Sequence, residues 1–348
     1  MTKSKGYSMK NKIMVAGNII VDYLYPITGY PERGQLTTIE DGCGKSVGGA
    51  VCNVGIDLKR LMPDTEICAL GLVGDDDSGR YALSVMEDEG VNTSLVGKKG
   101  ATSFTYVMSD KISRERTFFQ YRGANAHFSE DSFNWDDIDC DLIHIAYILL
   151  LDELDKEDSE YGTKMARLLA HAKERGIKTS IDVVSETGER FGRLVPPALR
   201  YTDYCIINEI EASRSTGIQL RAEDGALIYE NVKKVLSKLF ELGVSEWAVI
   251  HSPEGGFGMD KDGDYAECGL VYTPSGFIKG KVGAGDAFCA GVLSAAHRGL
   301  SLLDAVKLGN AAATVSLRSP GATEAMETIE ETMRICSELG FEPVKLNK

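Results

Sequence analysis

The sequence predicts an α/β protein built on a mostly parallel sheet with helices on both faces. Three observations carry this expectation. Short runs rich in Ile and Val alternate with segments of helical period along most of the 348 residues, and strands buried on both faces read as such apolar runs. Gly90, Gly176 and Gly243 each close a helical segment, where a left-handed stop is expected. The composition, 43% hydrophobic and 26% charged, suits one large domain, or one with a smaller appendage, around a sizeable core.

The series opens at residues 13–22 (IMVAGNIIVD), expected as one strand. The run contains Asn18, stops at Asp22 and lacks a small-residue cleavage site, so it does not read as a secretion signal. Residues 50–62 follow as a helix with Val51, Val54, Leu58 and Leu61 on one face. A strand at 67–74 and a helix over Ser78–Glu89 come next. Further strands are expected at 142–150, 178–184, 204–208 and 247–252. Helices are expected over 159–175 and 227–242, with another ending at Gly299 and a late one, LGNAAATVS, that holds Asn310. Two stretches, 23–46 and 101–122, alternate polar and apolar residues without helical period. The second reads as a hairpin turning at Ser109–Ser113. Together they are expected to form a small antiparallel sheet, as a lid or an oligomer contact, inserted in a domain spanning 11–348 behind a tail of residues 1–10. Edge strands of the main sheet are the other reading.

Acidic residues outnumber basic ones by 52 to 38, a net charge of −14. Such a chain lacks the positive field that non-specific binding to nucleic acid or anionic membranes requires, so neither partner is expected. Any phosphate should be held locally by backbone N–H groups, a few cations or a metal ion. The longest apolar stretch, Leu142–Leu151, is about half a membrane span and contains His144. The eight cysteines are scattered without a C-x-x-C pair, which suits small buried hydrophobes in a reducing compartment. A soluble cytoplasmic protein is expected.

The segment KGKVGAGDAFCAGVLSAAHRG (279–299) carries the most information. Gly283, Ala284 and Gly285 would let a ligand approach the backbone at a helix entrance, where first-turn N–H groups and the dipole attract anions. Asp286 in that first turn could equally be there to complement the dipole. Elsewhere stand SVGGAVCNVG (46–55), in which a glycine pair precedes Asn53 by four residues, GLVGDDDSG (71–79), GAN (123–125) and NEIE (208–211).

In this order, with GNIIVD at 17–22, these pieces make the chain similar to PfkB-type (ribokinase-like) kinases, a family that phosphorylates sugars and nucleosides. The resemblance runs from about Val15 to Ala322, and GAGDAF with an upstream GG-x-x-x-N is its specific part. It implies a three-layer fold with a mostly parallel central sheet and a small β lid. It also implies an ATP-dependent kinase, using Mg²⁺, that transfers the γ-phosphoryl group to a hydroxyl of a small sugar or sugar-like molecule. Asp286 would be the base, a modest one if the helix N-terminus keeps it ionised, and the backbone of Gly283, Ala284, Gly285 and Asp286 the anion hole. Asp22, Gly48, Gly49 and Asn53 would hold the acceptor's hydroxyls, although alone Asp22 reads as a strand-end cap and Asn53 as a helix cap. Asn208 and Glu211 would order Mg²⁺ and the phosphates, Glu211 through water; alone, NEIE is a capped helix start. Gly256 and Asn310 would serve the nucleotide, Asn310 lining the adenine pocket. Asp182 ends a strand, where parallel-sheet proteins place ligand contacts. Arg114 and Arg116 could reach a phosphate from the lid or lie in solvent. His127 and His251 fall near site loops without a partner.

Two departures change these expectations. Relatives commonly read D-T-T-G-A-G-D where this chain has Gly280, Lys281 and Val282. The carboxylate of the monovalent-cation site is therefore missing, and activity is expected to be insensitive to K⁺, with a lysine ammonium in the phosphate region instead. In place of T-L-G-x-x-G stands HSPEGG (251–256), where Pro253 removes an N–H. ATP is the expected donor, with GTP less excluded than usual. A nucleoside kinase is the first rival, kept open by Tyr23, Tyr25, Phe104, Tyr106, Phe118 and Phe119 near the lid. A non-catalytic sugar- or nucleotide-binding regulator is the second, and the presence of Asp286, Gly285 and Glu211 argues against it. Exposed lid edges are expected to support a homodimer.

Overall fold

The computed structural model describes residues 10–344 apart from 114, 185–187 and 189. The expected tail, all but its last residue, and Arg114 lie outside the described residues. The strands are β1 (Lys12–Gly17), β2 (Ile20–Ile27), β3 (Gly44–Gly48), β4 (Glu66–Val73), β5 (Gly97–Lys98), β6 (Phe104–Asp110), β7 (Arg116–Tyr121), β8 (Leu142–Ile148), β9 (Glu157–Asp158), β10 (Gly162–Thr163), β11 (Lys178–Val183), β12 (Tyr204–Asn208), β13 (Trp247–Ser252), β14 (Gly255–Asp260) and β15 (Tyr265–Gly269). The helices are α1 (Ala50–Leu61), α2 (Asp77–Asp88), α3 (Lys164–Glu174), α4 (Phe191–Leu199), α5 (Glu209–Thr216), α6 (Val232–Leu242), α7 (Ala284–His297), α8 (Leu302–Ser316) and α9 (Ile329–Leu339).

The main sheet has the order β15–β14–β13–β12–β11–β8–β1–β4–β5. From β13 to β5 neighbouring strands run parallel, and the β13–β14–β15 edge is antiparallel. Strand β1 shows why both faces are covered. Met14 and Ala16 enter one apolar cluster with residues of α3, α4, α5 and α6, while Ile13 and Val15 enter the other with residues of α1, α2, α7 and α8. The result is three layers.

The run at 13–22 is two strands in two sheets rather than one. At Gly17 (φ +126°) a Cβ would stand 1.8 Å from the Ala146 carbonyl oxygen, and the chain turns out of the main sheet there. It continues as β2, which with β3, β6 and β7 forms a four-stranded lid sheet of order β3–β2–β6–β7. This sheet is mixed, not wholly antiparallel as expected: β2 and β6 each begin a separate excursion from the main sheet and pair in parallel. The expected helix over 159–175 begins only at Lys164, capped by the Thr163 hydroxyl, because 157–163 is spent on the β9–β10 pair.

The two stems of the lid are tied together. The Val21 N–H donates to the Ser103 carbonyl at 3.0 Å, and Asn125 clamps Ile19 by donating to its carbonyl (3.1 Å) and accepting from its N–H (3.3 Å). This gives the GAN run a structural task. No helix among the described residues is long and apolar enough to cross a membrane.

Candidate active site

Parallel strands open their C-terminal ends on one edge of the sheet, the usual ligand edge of α/β proteins. Here β8 delivers Tyr147, β11 Asp182, β12 Asn208 and β13 His251, and the start of α7 enters between them. Helix α7 is capped by Gly283 in the left-handed region (φ +74°), where a Cβ would lie 2.7 Å from that of Ala322. Only glycine suits this corner. The N–H groups of Ala284, Gly285 and Asp286 thus form the first turn, with the positive end of the helix dipole behind them.

Asp286 is buried and held from both sides. Its Oδ2 accepts from Asn53 Nδ2 at 2.9 Å, and its Oδ1 accepts from the Tyr147 hydroxyl at 2.5 Å. Burial pushes its pKa above the usual carboxylate range, against these two hydrogen bonds, which pull it down. Burial acts on this carboxyl in the direction opposite to the helix terminus, which favours its ionised form. Asn53 keeps a buried Oδ1 without a partner.

Three cavities meet here. A chamber of about 240 Å³ is lined by Tyr147, Asp182, Asn208, Glu211, Lys281 and residues 283–286, among others. Three of these are carboxylates. Burial raises the pKa of Asp182 well above its ordinary value, and the negative charges of Glu211 and Asp286 add to the rise. Next to it, a cavity of about 230 Å³ contains His251, Ala284, Gly285, Phe288 and Asn310. His251, Ala284 and Gly285 line both spaces. Burial takes the His251 pKa down to about 4, so its ring is neutral there. A larger cleft of about 980 Å³ lies under the lid and includes Asp22, Asn53, Lys281 and Arg116. Asp22 packs so closely on Gly48 that a Cβ there would stand 2.4 Å from its Oδ2. Burial raises the Asp22 pKa, which a hydrogen bond with Thr105 opposes.

Asn208 and Glu211 form a capping box. Asn208 Oδ1 accepts from the N–H groups of Ile210 and Glu211, and the Glu211 carboxylate accepts from the Asn208 N–H at 2.9 Å. No group of three or more His, Cys, Asp or Glu among the described residues could cage a metal ion directly. The carboxylates of the chamber suit a cation that keeps its water shell. Asn310 lines the second cavity, and its amide donates to the carbonyls of Cys268 (2.8 Å) and Gly269 (3.0 Å). Gly256 lines none of these spaces. It lies in β14 where a Cβ would stand 2.8 Å from Val306 and 3.1 Å from the Phe288 ring, so its smallness seats Phe288 at the cavity wall. In the altered loop, Pro253 and Glu254 make a tight β13–β14 turn, and Arg221 ties Glu254 to Glu209 of α5.

The profile of the pfkB family carbohydrate kinases matches residues 10–329. The chain belongs to this family. It is 25% identical over 305 residues to the 5-dehydro-2-deoxygluconokinase of Shouchella clausii, covering 84% of this chain and 87% of that protein. It is 24% identical over 327 residues to the nucleoside kinase of Methanocaldococcus jannaschii, covering 92% and 95%. The Arabidopsis thaliana ribokinase complexed with ribose and ATP superposes with a TM-score of 0.76 at 18% identity, over 93% of this chain and 98% of that one. The fold is ribokinase-like, and the protein is a phosphotransferase with an alcohol acceptor, a carbohydrate or nucleoside kinase. ATP is the co-substrate that its kinase relatives imply.

Of the residues named from this pfkB-family chain's sequence, Asp286, Gly283, Ala284, Gly285, Asn208 and Glu211 meet at one chamber, and Asp22 and Asn53 at the cleft beside it. Tyr147 was missed. Its position at the end of β8 is the same signal that singled out Asp182. His251 stands between two cavities, and His144, by contrast, is a core residue bonded to Ser180 at 3.0 Å.

Proposed function

We propose that this protein transfers the γ-phosphoryl group of ATP to a hydroxyl of a small sugar or sugar-like acceptor, with Asp286 as the base. The observation that carries the reading is the hydrogen bond from Asn53 to Asp286. It joins a side chain of the acceptor cleft to the carboxylate of the phosphate chamber. The unpartnered Oδ1 of Asn53 would then accept from a substrate hydroxyl, beside Asp22 and the Gly48–Gly49 backbone. The nucleobase lies against Asn310 and Phe288, and the triphosphate passes His251 to the first turn of α7.

Phosphoryl transfer passes through a loose transition state with charge on the phosphoryl oxygens, so positioning and charge stabilisation dominate. The N–H groups of residues 284–286 supply the second. Asp286 takes the hydroxyl proton as the acceptor oxygen bonds to phosphorus and ADP leaves. Mg²⁺, ordered through water by Glu211 with Asn208, would neutralise charge on the triphosphate. Closure of the lid would exclude water. The fully exposed β7, with Phe118 and Phe119, suits a homodimer through the lid. A nucleoside acceptor is the second reading, since Leu24, Val107 and Phe118 line the same cleft and could cover a base.

The test is Mg·ATP-dependent ADP release across sugars, sugar phosphates, sugar acids and nucleosides, with Asp286→Asn as control. The variant should lose about 10²–10⁴ in kcat while keeping its melting temperature and ATP binding. Near-normal turnover in the folded variant would sink the assignment.

A further inference from the structure

Strand register lets the lid side of the acceptor cleft be read row by row. Asp22 pairs with Ser46, Leu24 with Val107 and Val107 with Phe118, and Ser109 with Arg116. All of these residues line the cleft. The ceiling is therefore a hydroxyl-binding row, an apolar row and a cationic row, each about 7 Å from the next along the strands. Arg116 enters at the end of the cleft away from Asp22. Lys279 and Lys281 line the same space from the segment before α7, and Lys45 from β3.

Among the described residues none of these four cations has a carboxylate within 4.0 Å. The acids of the cleft are engaged elsewhere. Glu89 makes two hydrogen bonds of 2.7 Å with Arg60. Glu324 folds back on its own loop, accepting from the Thr323 N–H and the Ser319 hydroxyl at 3.3 Å each. Asp22 lies in the opposite row, against Gly48. The Lys45 ammonium sits 4.0 Å from the centre of the Tyr81 ring, a contact that leaves its charge uncompensated. In a chain of net charge −14 this is a local reversal of sign. A cleft walled by cations focuses the field on an incoming anion.

We propose that the acceptor carries a negative group of its own, a carboxylate or a phosphate monoester remote from the reacting hydroxyl, and that Arg116 and Lys279 bind it. The inference rests on the kinase reading above. A guanidinium offers the paired donors that either anion accepts. Lys281 also lines the phosphate chamber and is shared with the transferring group, which leaves Arg116 to discriminate between acceptors.

The test compares D-fructose, D-ribose and inosine with D-fructose 6-phosphate, D-ribose 5-phosphate, D-gluconate and D-glucuronate, using the full chain with Mg·ATP. At least one anion-bearing acceptor should exceed its neutral counterpart in kcat/KM by about 10–100-fold. Arg116→Gln should cut that ratio about tenfold or more, mainly through KM. The phosphate and acid arms identify which anion is preferred. Calorimetric titration of the same compounds into Asp286→Asn reads binding without turnover, and the preferred anion-bearing acceptor should bind there. A neutral sugar or nucleoside as the best acceptor, equal losses for charged and neutral acceptors in Arg116→Gln, or no binding of any anion-bearing compound would overturn the proposal and leave the kinase reading intact. Undiminished turnover of an anionic acceptor by Asp286→Asn would instead overturn the assignment of the base.

Discussion

The proposed phosphate end and the proposed acceptor end of the site are built in opposite ways. At the phosphate end, four consecutive residues, Gly283 to Asp286, supply the turn, the donors and the carboxylate, and one helix start fixes them all. At the acceptor end, β2, β3, β6, β7, α1, α2 and the segment before α7 each contribute one to a few side chains. The first is rigid because helix geometry dictates it. The second is assembled from a lid and a core that are separate sheets. Chemistry common to a family can be written locally, whereas choice of acceptor is spread over elements that can vary one at a time.

Gly283→Ala strikes the local end hardest. A methyl group at φ +74°, 2.7 Å from the Ala322 Cβ, must displace the first turn, and kcat should fall about 10²–10³-fold with little change in acceptor KM. A matching rise in acceptor KM would break the distinction between the two ends. Asp22→Asn addresses the distributed end: acceptor KM should rise about 10–100-fold, the effect of losing hydrogen bonds to a charged group, with ATP KM unchanged.

Tyr147→Phe sharpens the comparison through pH. The Tyr147 hydrogen bond lowers the pKa of Asp286 against the rise caused by burial. Without it that pKa climbs further, so the acid limb of kcat should move to higher pH, and the loss should be largest on the acid side. An unmoved limb would mean that Tyr147 only packs.

Asp57 bears on stability. It is fully buried on α1 with neither carboxylate oxygen partnered, and burial raises its pKa well above the usual value. A carboxyl with a raised folded-state pKa gives full stability below its unfolded pKa and loses it as pH rises toward the folded one. Asp57→Ala should therefore stabilise the protein by about 1–3 kcal/mol near neutral pH. At about pH 4, where the unfolded carboxyl is half protonated, the gain should be smaller. Urea melts at the two pH values check it.

The phosphate end is legible in the sequence because its residues are contiguous and each type meets one need. Tyr147 is not, because the apolar pattern of LIHIAYILL hides a hydroxyl that only folding brings to a residue 139 positions away. The end of β1 at Gly17 is equally invisible, since the carbonyl that forces it belongs to Ala146 in β8. The surroundings of Asp286 are half legible for the same reason. Its helix terminus can be read locally, but its burial cannot. The lid strands were readable by their alternation. Their parallel β2–β6 pairing depends on where two distant insertions leave the sheet.

The tied stems of the lid have a mechanical consequence. Ile19, Val21, Ser103 and Asn125 form one pivot, and Asp22 stands one residue from it. Arg116 stands six residues of strand beyond Arg122, whose carbonyl accepts from the Ser103 hydroxyl of the pivot. A 10° swing about this pivot carries the backbone of Arg116, about 20 Å out, through about 3–4 Å and that of Asp22 through less than about 1 Å. The lid is a lever with its fulcrum at the reactive end. With the acceptor placed as proposed, the contacts to its hydroxyl would hold still while the far tip sweeps, and it would be seated for reaction before its distal group is gripped.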